Sequence, residues 1–457
     1  MKYKTIDEVL QVAQIAEGTS FKQYDIHHRL DSKGNKGGLG QIIEEGLFKY
    51  DLNSRNEADF AELGVELKVT PLKLNKKNQL QAKERLVLNI INYMEEYKHS
   101  FETSSFWKKN EKLLIMFYLW QESLSRGDYK ILKSLLHQFS SEDLLIIKND
   151  WQCIIDKIKA GKADELSESD TLYLAACTKG SNKNTVRDQP FSPVKAKQRA
   201  FSLKPSYITA FARSMLNQEA AIALTTASEL KRKSLNDILE ERFAPYYGLS
   251  LEEISNQFNY QLNSNNKSEV AKLTSMILGV KGTYVEDIAE FQKANIQFKT
   301  IRLEPNGTPK EHMSFEQIDF NRLINDSWEN SQFYEKFEYT KFLFVVFEFK
   351  EAFKPKKSRP LYLKKVLLWN MPESTIQSNL RELWENTRQI VKDGVILTPT
   401  SRGIKNNLPG AKDNPVCHIR PKAINAADKV LLPGPNGVEI TKQCYWLNRD
   451  YVANIVK

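Results

Sequence analysis

Cysteine is scarce: the 457-residue chain has only Cys153, Cys177, Cys417 and Cys444, far apart and with no Cys-x-x-Cys or Cys/His metal-ligand spacing. That spacing offers neither a zinc cluster nor a disulfide framework and reads as reduced thiols of a cytosolic protein. Long apolar runs are missing as well. The strongest, LLIMFYLW from Leu113 and FLFVVF from Phe342, fall far short of the ~20 residues a bilayer span requires, and MKYKTIDEVL lacks the apolar core of a signal peptide. A soluble, cytoplasmic protein is expected. Acidic side chains are in deficit, 57 Asp and Glu against 66 Lys and Arg, for a formal charge of +9. The balance favours a polyanionic partner, most simply nucleic acid. What is present is enough apolar residue, 41%, to fill two cores in a chain too long for one.

The chain is organised around Asp59–Pro71, DFAELGVELKVTP. Leu63, Val65, Leu67 and Val69 alternate with Gly64, Glu66, Lys68 and Thr70, which predicts a half-buried strand with Glu66 and Lys68 together on its open face. Many surface strands carry such a Glu/Lys pair. With Asp59 just upstream, however, the spacing suits metal-dependent phosphodiester hydrolysis. Two carboxylates can hold a hard divalent cation through oxygen, and a neighbouring ammonium can orient the attacking water.

Around this strand, apolar spacing predicts an opening helix over Thr5–Glu17. A Gly-containing turn, Lys36–Gly40, then delivers a helix whose Ile42, Ile43 and Leu47 face inward and whose Glu44 can face the site. The run LVLNIINYM is a buried element, and DWQCIIDKIKAGK from Asp150 is an amphipathic helix. A basic stretch follows, with Lys179, Lys183, Arg187, Lys195, Lys197, Arg199 and Lys204 opposed by Asp188 alone. It reads as a basic loop feeding the strand AFSLK and a last helix from Ser206, and Lys179, Arg199 and Lys204 are taken as DNA contacts.

The second half repeats the first. NIQFKTIRL echoes GVELKVTPL, placing Lys299 opposite Lys68 at an offset of 231, and Trp384 answers Trp151 at 233. Lys422 answers Lys179 at 243, and Leu447 answers Leu203 at 244. Slowly growing offsets indicate two collinear copies with small insertions. Their expected extents are 1–220 and 235–457. Opposite Glu44, Asp59, Glu66 and Lys68 stand Ser275, Glu290, Gln297 and Lys299. A neutral Gln cannot supply the charge that holds a cation, so the second copy should bind without cutting.

The stretches KGGLGQIIE, DFAELGVELK, ETSSFWKK, the DW helix, YLAACTKGSN and RAFSLKPSY occur in order, with HIRPKAIN and YWLNRDY in the second copy. Together they resemble MutH, the mismatch-repair endonuclease that nicks at GATC, and the two-domain type II restriction endonucleases that cut there. The resemblance implies an α/β fold of two tandem MutH-like domains, each a mixed sheet flanked by helices. It further implies Mg2+ held by Asp59 and Glu66, Lys68 orienting water, Glu44 as a supporting carboxylate, and Lys36 and Lys109 near the scissile phosphate. Lys179 in the first copy, and Arg420 and Lys422 in the second, match the family's Arg-Pro-Lys recognition element. Cys177 and Thr178 replace its Arg and Pro in the first copy, and Ser202 stands where MutH has a methylation-sensing tyrosine. The implied activity is magnesium-dependent double-strand cleavage of GATC-containing DNA by a dimer on DNA, with the second copy as effector. The rivals are a MutH-like nickase and a non-catalytic DNA-binding regulator.

Overall fold

The computed structural model describes residues 3–32, 37–50, 57–180, 185–217, 221–263, 268–280, 282, 284–354, 358–401 and 403–457. They divide into two units, Met1–Ser234 with Asp287–Asn295, and Leu235–Glu286 with Ile296–Lys457. Among the described residues no helix is long and apolar enough to cross a membrane.

In the first unit, α1 (Ile6–Ile15) begins where the Thr5 hydroxyl accepts the Glu8 N–H at 3.2 Å, and it buries Val9 and Ala13. α2 (Gly38–Ile42) runs into a π-helical turn, Ile43–Leu47, that carries Glu44. β1 (Val65–Leu74) is followed by β2 (Leu80–Ala82), β3 (Leu86–Ile90), α3 (Tyr93–Glu96), α4 (Ser105–Asn110), β4 (Lys112–Leu119) and β5 (Lys130–Gln138). The first sheet has the order β2-β1-β4-β5, with β1 and β4 parallel. Parallel strands inside a sheet are covered on both faces, and so is β1: Val65, Glu66 and Leu67 are all buried. The alternation foretold the strand correctly. The open face expected for Glu66 is not found: its side chain is buried, with α2 and α4 packed against β1, while Lys68 two residues on is only partly covered.

α5 (Ser141–Lys159) starts nine residues before the expected Asp150, where Ser140 accepts the Asp143 N–H at 3.2 Å. The Asp150 carboxylate accepts the N–H groups of Leu172, Tyr173 and Leu174 at 2.6–2.9 Å, pinning the start of β6 (Leu174–Thr178). The basic stretch is not a loop. It folds as a hairpin of β7 (Val186–Gln189) and β8 (Ser192–Lys197), which feeds β9 (Arg199–Leu203). The second sheet has the order β3-β9-β6, and α6 (Pro205–Leu216) and α7 (Ala227–Leu230) follow.

The second unit opens with α8 (Leu235–Phe243), α9 (Leu251–Gln257) and α10 (Glu269–Ile277). The next helix, α11 (Ala289–Ala294), lies in the segment that belongs to the first unit, where Lys293 pairs with Asp143 at 2.7 Å. β10 (Ile296–Leu303), β11 (Met313–Gln317), α12 (Phe320–Asn325), α13 (Gln332–Tyr339), β12 (Lys341–Glu348) and β13 (Tyr362–Trp369) return to the second unit. α14 (Glu373–Thr375) and α15 (Arg381–Asp393) precede a hairpin of β14 (Leu397–Thr400) and β15 (Gly403–Asn406). β16 (Cys417–Pro421) is separated by a second hairpin, β17 (Lys429–Leu431) and β18 (Glu439–Thr441), from β19 (Gln443–Leu447) and the final α16 (Arg449–Ile455).

The plan of the first unit recurs. β10-β12-β13 has β10 and β12 parallel, and β11-β19-β16 is antiparallel. The register recurs too: Glu66 lies opposite Leu113 and Lys68 opposite Ile115, while Gln297 lies opposite Phe342 and Lys299 opposite Phe344. This is the mixed-sheet α/β architecture the resemblance implied.

The turn carrying Glu44 depends on one close approach. A Cβ at Gly46 would lie 1.8 Å from the Tyr24 carbonyl oxygen, and a backbone atom cannot swing aside. Gly46→Ala should therefore destabilise the first unit by about 1–3 kcal/mol in urea titration and lower catalytic activity. Unchanged stability would show that the turn tolerates the shift.

Candidate active site

The edge of β1 assembles the charged groups. After Phe60 pairs with Val65, a 3-10 turn, Ala61–Leu63, closes at Gly64 with φ 63, and this reversal brings Asp59 back beside β1. The Leu67 N–H donates to Asp59 Oδ2 at 2.9 Å, and the Asp59 N–H donates to Glu66 Oε2 at 3.2 Å. Glu66 is 3% exposed. Its Oε1 accepts from Lys68 Nζ at 2.7 Å, and Lys109 Nζ stands 3.5 Å from the same oxygen. Lys109 sits in the last turn of α4, whose start is fixed by Ser104 accepting the Trp107 N–H at 3.1 Å.

Electrostatically the group is short of positive charge. Burial, then the neighbouring Asp59 and Glu66, push the Glu44 carboxyl up to about 7. Burial and Glu66 likewise push Asp59 up to about 6, against the Leu67 hydrogen bond. Three carboxylates sharing a half-buried site with two ammonium groups are relieved by a further cation, and all their donors are hard oxygens. Among the described residues no set of three or more His, Cys, Asp and Glu side chains is gathered tightly enough to enclose a metal. Asp59 and Glu66 with water completing the shell fit Mg2+, which typically takes one or two carboxylates and keeps several waters.

The remaining expected residues fall into three groups. Lys36 lies outside the described residues. Lys179 is exposed at the end of β6, and Arg420 and Lys422 are exposed at and beyond the end of β16, with the Arg420 guanidinium 5.6 Å from the Trp446 ring centre. Arg199 and Lys204, expected as DNA contacts, are instead each 1% exposed. Arg199 Nη1 donates to the Ala176 carbonyl at 2.6 Å and Lys204 Nζ to the Thr171 carbonyl, so the structure places both inside the second sheet's support. Of the basic residues after β1, Lys76 and Lys77 are exposed, whereas Arg85 is held by Glu168.

Sequence reasoning missed Lys336, although the signal was there: Ser331-Gln-Phe-Tyr-Glu-Lys336 repeats Ser104-Ser-Phe-Trp-Lys-Lys109. Lys336 Nζ donates to Gln297 Oε1 at 2.6 Å, the contact that Lys109 makes to Glu66 in the first unit. Glu290 is the sequence counterpart of Asp59. It is buried and accepts the N–H groups of Leu224 and Thr225 at 2.8 and 3.1 Å.

A family model described as DNA mismatch repair enzyme MutH matches this chain twice, over residues 48–150 and 283–382, spanning Asp59 to Lys109 and then Gln297 to Lys336. The type II restriction enzyme Sau3AI of Staphylococcus aureus is 35% identical over 462 residues, covering 93% of this chain and 93% of that protein. The DNA mismatch repair protein MutH of Pasteurella multocida (strain Pm70) is 27% identical over 190 residues, 41% of this chain and 83% of that protein. MutH of Vibrio vulnificus (strain YJ016) is 25% identical over 227 residues, 47% of this chain and 98% of that protein.

The raised carboxyls fix a pH dependence. Both Glu44 and Asp59 hold protons in the native state that the unfolded chain has released, from about pH 4 up to about 7 for Glu44 and about 6 for Asp59. Where the native state binds more protons, stability falls as pH rises. Removing the Glu44 charge should therefore help increasingly through that window and fully above it. In chelator, Glu44→Gln should melt a few degrees higher than the parent at about pH 8 and level with it at about pH 4. A lower melting temperature at the higher pH would refute the charge crowding.

Proposed function

The chain belongs to the MutH-like family of type II restriction enzymes, and from that premise we propose that it makes magnesium-dependent double-strand breaks at GATC. The observation that carries this reading is the Asp59, Glu66, Lys68 and Lys109 constellation on β1 and α4, complete in the first unit and carrying Gln297 in the second. We assign residues 1–220 to a catalytic domain and 235–457 to an effector domain, acting on cytoplasmic DNA.

The reaction is in-line attack of water on phosphorus, breaking the bond to the 3′ oxygen and leaving 5′-phosphate and 3′-hydroxyl ends. Asp59 and Glu66 would hold Mg2+, which when bound lowers the pKa of its water and neutralises charge on the transferring phosphoryl group. The protein supplies the remainder. The Leu67 N–H and the Asp59–Glu66 hydrogen bond fix the two carboxylates before DNA arrives, so no reorganisation is required at the reacting centre. Lys68, half-buried against Glu66, cannot accept a proton while charged and instead orients water through its N–H donors. Lys109, at a looser 3.5 Å from the same oxygen, would turn its ammonium to a phosphate oxygen. One such site cuts one strand, and GATC is palindromic, so two catalytic domains on a two-fold axis complete the break.

Digestion of a plasmid carrying mapped GATC sites tests the reading. Linear fragments ending at those sites are expected with Mg2+, and nicked circles alone would favour the mismatch-repair type of activity. Asp59→Ala, Glu66→Gln and Lys68→Ala should each cut at no more than about 1% of the parent rate while still binding GATC duplex. Substantial cutting by Glu66→Gln would show that the metal site is elsewhere.

The effector assignment makes a separate prediction. Arg420 and Lys422 carry groups suited to guanine O6 and N7 in the major groove. If their occupancy favours cutting by the catalytic domain, plasmids with two GATC sites should be cut about 5–150-fold faster than plasmids with one. Arg420→Ala should abolish the difference. Equal rates with the unaltered chain would remove the effector role.

A further inference from the structure

The second unit keeps the cationic half of the site and has lost the anionic half. Glu66 has become Gln297, Glu44 has become Ser275, and Glu290 is turned to the Leu224 and Thr225 N–H groups. Lys299 and Lys336 remain. Both ammoniums lie over the face of Phe315, 5.1 and 6.0 Å from its ring centre, and Lys422 Nζ donates to the carbonyl oxygen of that same Phe315 at 3.2 Å.

Three cations thus surround one residue of β11. The carboxylates that act on Lys299 are Glu316, exposed and paired with Lys336, and the exposed Glu286. The balance among these five groups is positive, where the first unit's three carboxylates and two lysines are negative. Lys68 donates to Glu66, whereas among the described residues Lys299 donates to no carboxylate. Burial and the nearby Lys336 push the Lys299 ammonium below the ordinary lysine range. Gln297 adds to the inversion. Its Oε1 is used by Lys336, so its amide presents N–H donors where Glu66 presents only acceptors.

We propose that this relict of the metal site is an anion site: Lys299, Lys336, Lys422 and the Gln297 amide take a phosphate of the DNA backbone directly, with no divalent cation. The proposal rests on the effector reading of the second unit and specifies how that unit holds DNA. It accounts for why the lysines outlast the carboxylates. Without Glu66 they no longer serve a metal site, yet a cluster of partly desolvated ammoniums costs stability unless an anion occupies it.

The test is fluorescence anisotropy of a one-site GATC duplex with the full-length chain in EDTA, across about 50 to 200 mM salt. In chelator at about pH 8, above the raised pKa values of Glu44 and Asp59, the first unit's uncompensated carboxylates repel phosphate, so binding reports mainly the second unit. Lys299→Met/Lys336→Met keeps the apolar stems over Phe315. It should weaken binding about 10-fold and reduce the slope of log affinity against log salt by about 1 to 2. The isosteric Gln297→Glu should weaken metal-free binding similarly and let added Mg2+ restore it.

Parent-like affinity and slope in both variants, with Arg420→Ala weakened, would overturn the anion site and leave the effector unit standing. Parent-like binding by all three would overturn the effector reading itself.

Discussion

A buried carboxylate needs cations within reach, and Glu66 is the group on which this molecule turns. Burying a charge costs several kcal/mol unless partners compensate it. Here the compensation comes from Lys68 at 2.7 Å along the same strand and Lys109 at 3.5 Å from α4. That requirement ties together elements distant in sequence: the parallel pairing of β1 with β4 fixes where α4 ends, and the turn at Gly64 brings Asp59 back to Glu66 Oε2. Glu44 enters from the π-helical turn as a further carboxylate, and the burial and neighbouring carboxylates that raise its pKa make a bound cation favourable.

The second unit is a natural control on this arrangement. Its strand register and helix-borne lysine are the same, yet one change of a carboxylate to an amide at Gln297 removes the reason for the others to gather. Glu290 is then available for a structural task, accepting two backbone N–H groups in the first unit, with Lys293 of the same helix pairing with Asp143. The counterpart of Asp59 thus holds a chain segment in place through Leu224 and Thr225. The same scaffold therefore presents a cation-seeking site in one unit and an anion-seeking one in the other.

Much of this was legible in the sequence, for identifiable reasons. Alternating Val65, Leu67 and Val69 announce a strand because side chains alternate across a pleat, and the repeat announces two collinear copies, whose shared parallel register only the structure shows. Burial was less legible. Nothing in the period of β1 says that Glu66 is covered on its own face, and the charge of Arg199 and Lys204 gave no hint that two backbone carbonyls would draw them inside. The basic stretch read as a loop from its Gly and Pro, whereas Val186–Gln189 and Ser192–Lys197 pair as a hairpin. Lys336 was legible only through the repeat of Ser104–Lys109 by Ser331–Lys336, a match that gains meaning once Lys109 is seen beside Glu66.

Cation stoichiometry in the absence of DNA tests the central claim most directly. Calorimetric titration of Mg2+ into the full-length chain should show one bound ion per chain, lost on Glu66→Gln. Two ions per chain, or one ion retained by Glu66→Gln, would contradict the assignment of the metal site to the first unit and of the anion site to the second.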